Sequence, residues 1–334
     1  MAHKNKKVLI IRFSSLGDII LTLPVVNKLY KEGFEVHFLT KKVFADVWEN
    51  YKPVKKLLLL DDKTSLREII RQIKKENYFK IIDLHSNLRS WIIKLFFFKK
   101  TITYKKYKFR RWLLVNFKIN LLKGNNVIRN YLETVEKLGL KVKPEDEKYK
   151  IHCDKTAKRK IDEFLKKHQL KEYICIAPLA KWKTKIWPYY RRIIPEIAKK
   201  IPVVLIGGFH DYSSLNKFVK PGIKNVYNTA GLFSPFETAE LIRKSRLLIT
   251  NDSAVMHLGY STNTPMIIIL GNTVKEFGFI PEGKNIYIIE RNDVRCRPCD
   301  YHGKEKCPLI HFKCMKKIKP EEVITRVDKI LKIK

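Results

Sequence analysis

The sequence predicts an α/β protein of two doubly wound domains in tandem, and three observations lead there. Apolar, β-rich runs alternate with amphipathic stretches, the pattern restarts after a polar interval, and 334 residues are about twice the size of a typical single domain. Alternation of this kind calls for parallel strands buried on both faces and joined by right-handed helical crossovers.

Residues 8–13, 36–39, 57–60 and 81–84 read as the first four strands. Residues 19–30 follow a helical period, and Pro24 is expected to kink that helix. The polar stretch 141–150 interrupts the pattern, so a linker is expected between about 141 and 171, with domains at 1–160 and 161–334. Strands resume at 173–177, 203–206, 247–250 and 266–270. Residues 320–333 read as a closing helix with proline in its first turn, expected to pack back on the first domain.

Charge narrows the partners. Lys and Arg number 69 against 33 Asp and Glu, a net charge of +36. A field that positive favours polyanions: nucleic acid, anionic lipid headgroups or phosphorylated saccharide. A lysine-rich compositional bias is the plainer source of the same charge. No recognition-helix or RNA-binding signature is present and the cations are spread along the chain, so no specific nucleic-acid partner is expected. No run reaches the ~18–20 apolar residues of a membrane span. The basic start, residues 1–7, precedes too short an apolar run for a signal peptide, which places the protein in the cytoplasm by expectation. Six cysteines are too few for a disulfide framework at this length.

Doubly wound sheets bind ligands at the carboxyl ends of their strands, so the loops there carry the candidates. Neither half has G-x-G-x-x-G after its first strand, which argues against a nicotinamide or flavin enzyme. The first strand runs into Ser14-Ser15-Leu16-Gly17-Asp18, where small residues admit a substrate to the backbone. Asp18, kept ionised by the helix start, either caps its helix or accepts a proton, and capping is the commoner use. Asn251-Asp252-Ser253-Ala254 opens another helix whose first amides suit a diphosphate, with His257 one turn on. Lys181, Lys183 and Lys185 lie in a basic loop after the strand at 173–177 and are placed to neutralise a leaving diphosphate; such loops are otherwise merely solvated. Asp211, after Gly207-Gly208, suits ribose hydroxyls.

In its order of motifs the chain resembles glycosyltransferase family nine, the bacterial heptosyltransferases of lipopolysaccharide core assembly. The resemblance rests on Arg12-Phe13-Ser14-Ser15-Leu16-Gly17-Asp18, Asp83-Leu84-His85-Ser86-Asn87-Leu88-Arg89-Ser90, Lys185-Ile186-Trp187-Pro188, Asn251-Asp252-Ser253 with His257, Thr264-Pro265 and Gly271-Asn272-Thr273. It implies the GT-B fold, two Rossmann-like domains facing a central cleft, and inverting transfer from ADP-heptose without a catalytic metal. It further implies Asp18 as general base, Lys185 and the amides after Asp252 on the donor diphosphate, and Asp211 on the ribose. Ala254 departs from the family's usual glycine there, and alanine does not easily adopt a positive φ.

Residues 89–121 mix Arg and Lys with aromatics. Such a mixture suits an anionic membrane surface, while an ordinary amphipathic helix would send the same aromatics into the core. The resemblance nominates Arg89, Arg110, Arg111 and Arg129, with Ser15 and Gly17, for a phosphorylated lipopolysaccharide core acceptor at the inner face of the membrane. Cys296, Cys299, Cys307 and Cys314 form C-x2-C-x7-C-x6-C, a set that suits a structural zinc or iron ion or else packed free thiols.

Overall fold

The computed structural model describes residues 6–48, 51–151, 153–219 and 222–332. Residues 1–5 of the basic start and Ile333 of the closing helix lie outside the described residues. Internal contacts divide the chain into two units, one of Met1–Tyr107 with Asn126–Tyr149, the other of Lys108–Asn125 with Lys150–Lys334. The main passage from one to the other therefore falls at 149/150 rather than 160/161, and a segment of the first half of the chain groups with the second unit.

In the first unit the strands are β1 (Lys7–Ile11), β2 (Glu35–Lys41), β3 (Val54–Leu60), β4 (Lys80–Asp83) and β5 (Thr101–Thr103). They form one parallel sheet in the order β3-β2-β1-β4-β5. Its helices are α1 (Leu16–Ile20), α2 (Leu23–Lys31), α3 (Leu66–Glu76), α4 (Leu88–Phe96) and, after α5 (Lys108–Phe117) of the other unit, α6 (Val127–Glu136). Leu9, Ile11 and Ile81 on the strands meet Ile69 and Ile73 of α3 in a fully buried cluster, as the apolar runs require. Pro24 starts a helix instead of kinking one: it occupies the first turn of α2, where a missing N–H costs nothing. Leu21 and Thr22 separate it from α1, and Thr22 Oγ1 donates to Ile19 O at 2.7 Å.

The second unit holds α7 (Lys155–Lys167), β6 (Ile174–Ala177), α8 (Tyr190–Ala198), β7 (Val203–Leu205), α9 (Tyr212–Asn216), β8 (Val226–Asn228) and α10 (Pro235–Arg243). It continues through β9 (Leu248–Asn251), α11 (Ala254–Thr262), β10 (Met266–Leu270), β11 (Ile286–Glu290), α12 (Lys313–Lys316) and α13 (Pro320–Leu331). The sheet order is β11-β10-β9-β6-β7-β8, all parallel. The closing helix α13, expected to return to the first domain, buries Val323, Val327 and Leu331 in the core of the second unit, beside α8. Among the described residues no helix is long and apolar enough to cross a membrane.

Both sheets reverse direction of growth once. In the first unit the reversal lies between β1 and β4, in the second between β6 and β9. At such a point the loops of neighbouring strands part and leave a crevice at their carboxyl ends, the usual seat of a ligand in this architecture.

Candidate active site

At the reversal in the first unit, the loop after β1 carries Arg12 and leads into α1. Ser15 is the N-cap of that helix, and its N–H and hydroxyl both donate to Asp18 Oδ2, at 3.0 and 2.8 Å. The other carboxylate oxygen, Oδ1, meets Arg12 Nη2 at 2.7 Å. Arg12 is itself fixed by donating to Ser14 O at 2.8 Å, Leu84 O at 2.5 Å and Tyr131 Oη at 2.9 Å, so it ties the β1 loop to the β4 loop. Burial would raise the Asp18 carboxyl, but the Arg12 charge and the Ser15 hydrogen bonds outweigh it and hold the group at about 2. Asp18 is both helix cap and permanently ionised carboxylate, and it stays half-buried at the crevice. Gly17, in the first turn of α1, is buried, while Ser15 is exposed.

His85, at the carboxyl end of β4, packs edge-on against Phe13 with ring centroids 5.1 Å apart. Burial and the nearby Arg12 and Lys106 charges push its imidazole down to about 3, so it is neutral, and its buried Nδ1 has no hydrogen-bond partner. Asp83, next to it, is used structurally: its oxygens take the N–H groups of His85 and Ser86 and the hydroxyl of Ser90, each at 2.9 Å.

At the reversal in the second unit, Lys185 from the loop after β6 and Asp252 from the loop after β9 form an ion pair of 2.6 Å. Thr273, in the loop after β10, donates its hydroxyl to the same Asp252 Oδ2 at 2.7 Å. Burial would raise the Asp252 carboxyl, and Lys185, Thr273 and His257 together bring it below the ordinary range. Asn251 locks this arrangement from beneath. Its amide donates to Pro178 O at 3.0 Å and its carbonyl oxygen accepts from Trp187 N at 3.3 Å and Tyr190 Oη at 3.2 Å, so both ends of the lysine loop are held to β9.

Ser253 stands at the N-cap position of α11 without a side-chain capping hydrogen bond, and Ala254 is the first helical residue. Ala254 is not among the positive-φ residues, so the absence of glycine there costs no backbone strain. The helix lies close on its sheet because Gly259 has no side chain: a Cβ there would fall 2.4 Å from Leu248 Cδ2 and 2.5 Å from Met266 Sδ. His257 is buried on α11. Asp211 follows β7, the neighbour of β6, and its Oδ2 accepts from Gly208 N–H at 2.8 Å.

The basic candidates disperse. Arg89 stands exposed in the first turn of α4, and Arg129 on α6 pairs with Glu136 at 2.6 Å. Arg110 and Arg111 lie on α5, in the second unit. Arg110 is exposed, with Nη1 3.5 Å from Leu121 O. Arg111 is buried: its guanidinium lies 4.3 Å over the Tyr301 ring and donates to the Tyr301 hydroxyl, while Nε and Nη2 have no hydrogen-bond partner. As it stands Arg111 presents no open fork to an acceptor.

Cys296, Cys299, Cys307, Cys314 and His311 line one small cavity of about 10 Å³ with Thr184 and Asn272. Cys296 Sγ is 3.9 Å from His311 Nε2. Burial raises the thiols of Cys299 and Cys314, the latter to about 12. The donor chemistry suits zinc or iron. Among the described residues, however, no three Cys, His, Asp or Glu side chains are drawn together as a metal-holding group. The cavity adjoins the Lys185–Asp252–Thr273 group in sequence, since Thr184 precedes Lys185 and Asn272 precedes Thr273.

Comparison with known proteins decides what this pair of sites belongs to. Residues 66–309 match the family model described as "Glycosyltransferase family 9 (heptosyltransferase)". The chain belongs to glycosyltransferase family 9. A curated relative, lipopolysaccharide heptosyltransferase 1 of Campylobacter coli, is 27% identical over 288 residues, covering 80% of this chain and 84% of that one. Among solved structures, the family 9 glycosyltransferase of Veillonella parvula aligns with a TM-score of 0.78 at 20% identity over 99% of this chain and 98% of that one. The E. coli ADP-heptose lipopolysaccharide heptosyltransferase II aligns at 0.74 and 17% identity, over 97% and 98%. The two doubly wound units are those of the GT-B fold.

Within the family 9 framework the motif order located Asp18, Lys185, Asp252 and α11. Arg12, Asn251 and Thr273 stand in the same motifs, and what the motifs alone do not show is that each positions a charged candidate. Their common signal is a polar residue in the last position of a strand or within the next few residues, where side chains of neighbouring parallel strands converge.

Proposed function

We propose that this family 9 protein is an inverting heptosyltransferase that moves heptose from ADP-heptose to a phosphorylated lipopolysaccharide inner-core acceptor. The observation that carries the proposal is the Lys185–Asp252–Thr273 group beside the N-terminus of α11. A preformed cation and outward first-turn amides are what a diphosphate leaving group needs, and they strengthen as negative charge develops on it. Ser253, Ala254 and His257 belong to the same helix start, and Asp211 would take the ribose hydroxyls with the carboxylate oxygen not engaged by Gly208.

In the reaction, an acceptor hydroxyl oxygen forms a bond to the anomeric carbon as the bond from that carbon to the diphosphate oxygen breaks. ADP leaves with the electron pair and Asp18 takes the hydroxyl proton. An acid as strong as the Asp18 carboxyl is a weak base toward a resting alcohol. It suffices because the attacking oxygen becomes strongly acidic once it shares its electrons with an oxocarbenium-like carbon. Ser15, Gly17, Arg89, Arg110 and Arg129 are the acceptor-side groups of this reading; Arg111 would need to turn from Tyr301 to join them. Metal at the four cysteines, if bound after side-chain rotation, is structural. The enzyme would work as a cytoplasmic protein at the inner face of the membrane.

Mass spectrometry of products from a panel of ADP-sugars with deacylated inner-core acceptors tests the proposal. A mass increment of one heptose from ADP-heptose, with opposite anomeric configuration in the product, is expected. Transfer of a hexose in preference, or retained configuration, would overturn the donor or the stereochemistry respectively.

A further inference from the structure

The transfer step uses only Arg110 of α5, and burial takes only Arg111 and Leu114, which leaves the rest of that helix without an assignment. A surface helix ordinarily turns its apolar stripe inward and its charges outward. In α5 that separation fails: Lys108 and Arg110 are outward as expected, but so are three aromatic rings, and one arginine is buried. Its buried positions are Arg111 and Leu114, whereas Phe109, Trp112 and Phe117 are 68%, 50% and 59% exposed. Arg111 over Tyr301, and Lys118 donating to Pro298 O at 2.6 Å, fasten this segment to the rest of the second unit. The three outward rings touch each other: Phe109 and Trp112 stack with centroids 5.9 Å apart, and Phe117 meets Trp112 edge-on at 5.2 Å. Single exposed apolar residues are ordinary on any protein, but a contiguous aromatic patch marks a surface that something covers.

The surrounding sequence says what. Residues 84–132 contain twelve Lys or Arg and no Asp or Glu, although the whole chain has 33 acids to 69 bases. Lys108 and Lys123, in the same segment as the rings, are exposed too. A second copy of this chain would set one such cationic surface against another, which repels. Single-stranded nucleic acid needs separated ring faces on which bases stack, and here the rings pack on one another. An anionic bilayer meets both features at once: ring bodies enter the boundary between headgroups and acyl chains while the ammonium groups reach lipid phosphates.

We propose that the outward face of α5 docks this protein on an anionic phospholipid bilayer through Phe109, Trp112 and Phe117. The proposal deepens the reading above, which supplies a membrane-borne acceptor, yet the docking itself needs neither donor nor acceptor. The test is co-sedimentation with vesicles of phosphatidylglycerol and phosphatidylethanolamine, or of phosphatidylcholine alone, without sugar substrates. Wild type should bind the anionic vesicles, less so as salt rises, and its tryptophan emission should shift to the blue, a shift lost in Trp112→Phe. The triple variant Phe109→Ser, Trp112→Ser, Phe117→Ser should keep its circular dichroism and its turnover of deacylated acceptor, while its vesicle partition falls at least about tenfold. An unchanged partition of the folded triple variant would overturn the proposal. So would a wild type that prefers single-stranded RNA to anionic vesicles at matched salt, or one that is dimeric where the triple variant is monomeric. Failure of all sugar transfer by a wild type that still binds vesicles would remove the enzymatic reading and leave the docking surface standing.

Discussion

In the proposed reaction the chemistry turns on Asp18 and Lys185, and each is already paired with a neighbour, Asp18 with Arg12 and Lys185 with Asp252. Asp18→Asn preserves shape and removes basicity, so the variant is expected to fold, to bind ADP-sugar unchanged and to lose transfer by at least about 10²-fold. Single-turnover rates at saturating substrate check this, and a near wild-type rate would leave Asp18 as a cap alone. Because its folded-state pKa, about 2, lies below the ordinary carboxyl value, the Asp18–Arg12 interaction stabilises the fold above pH ~4. That contribution, about 2 kcal/mol, is lost as pH falls through about 2. An acid limb of kcat/KM between pH 5 and 7 therefore belongs to another group. Lys185→Ala should weaken ADP binding by roughly 1.5–3 kcal/mol, read by calorimetry, and unchanged affinity would reject the phosphate role. The sequence made Asp18 and Lys185 legible as types in loops. It did not reveal their partners: Asp252 is far from Lys185 in the chain, and Arg12, although only a few residues before Asp18, is turned onto it by bonds to Ser14, Leu84 and Tyr131.

At the level of elements, the interior strands were readable and three edge strands were not. β5, β8 and β11 each lie at a sheet edge; β5 and β8 have three residues, too few for a periodic signal, and β11 is mostly half-buried. The loop after β7 shows how tightly an edge constrains a site. Gly231, with φ +74°, lies after β8, and a Cβ there would come 2.7 Å from Phe209 Cα, two residues from Asp211. Gly231→Ala is expected to destabilise by about 1–2 kcal/mol and to loosen ADP binding through Asp211. Thermal melting with and without ADP checks both parts. The cysteine segment after β11 gives a different prediction. If the thiols take up zinc or iron, chelation should lower the melting temperature, and the refolded metal-free protein should still transfer sugar, with metal content measured by mass spectrometry. Loss of all turnover at an intact fold would place the metal in the chemistry, as would its direct contact with Lys185 or Thr273.

For the molecule as a whole, net charge dominates over individual ion pairs. At +36 the folded surface repels itself, so raising NaCl from about 0.05 to 0.5 M, which shortens the Debye length several-fold, should raise the melting temperature. A fall would mean that the ion pairs contribute more than the repulsion costs. Two-domain organisation was legible from the alternation of runs, because each buried strand carries its own apolar signature. Membership of the segment Lys108–Asn125 was not, since it rests on Arg111, Lys118 and Asn125, polar residues whose contacts with Tyr301, Pro298 and Phe277 join distant positions. That segment makes the chain pass between units three times, so neither unit is one uninterrupted stretch of gene. A ribosome releases residues 108–125 long before the partners they settle against, and Arg111, Lys118 and Asn125 wait in solvent meanwhile. Cutting the gene once, at codon 150, would yield a C-terminal fragment stripped of its α5 brace and an N-terminal fragment carrying that brace with nothing to hold.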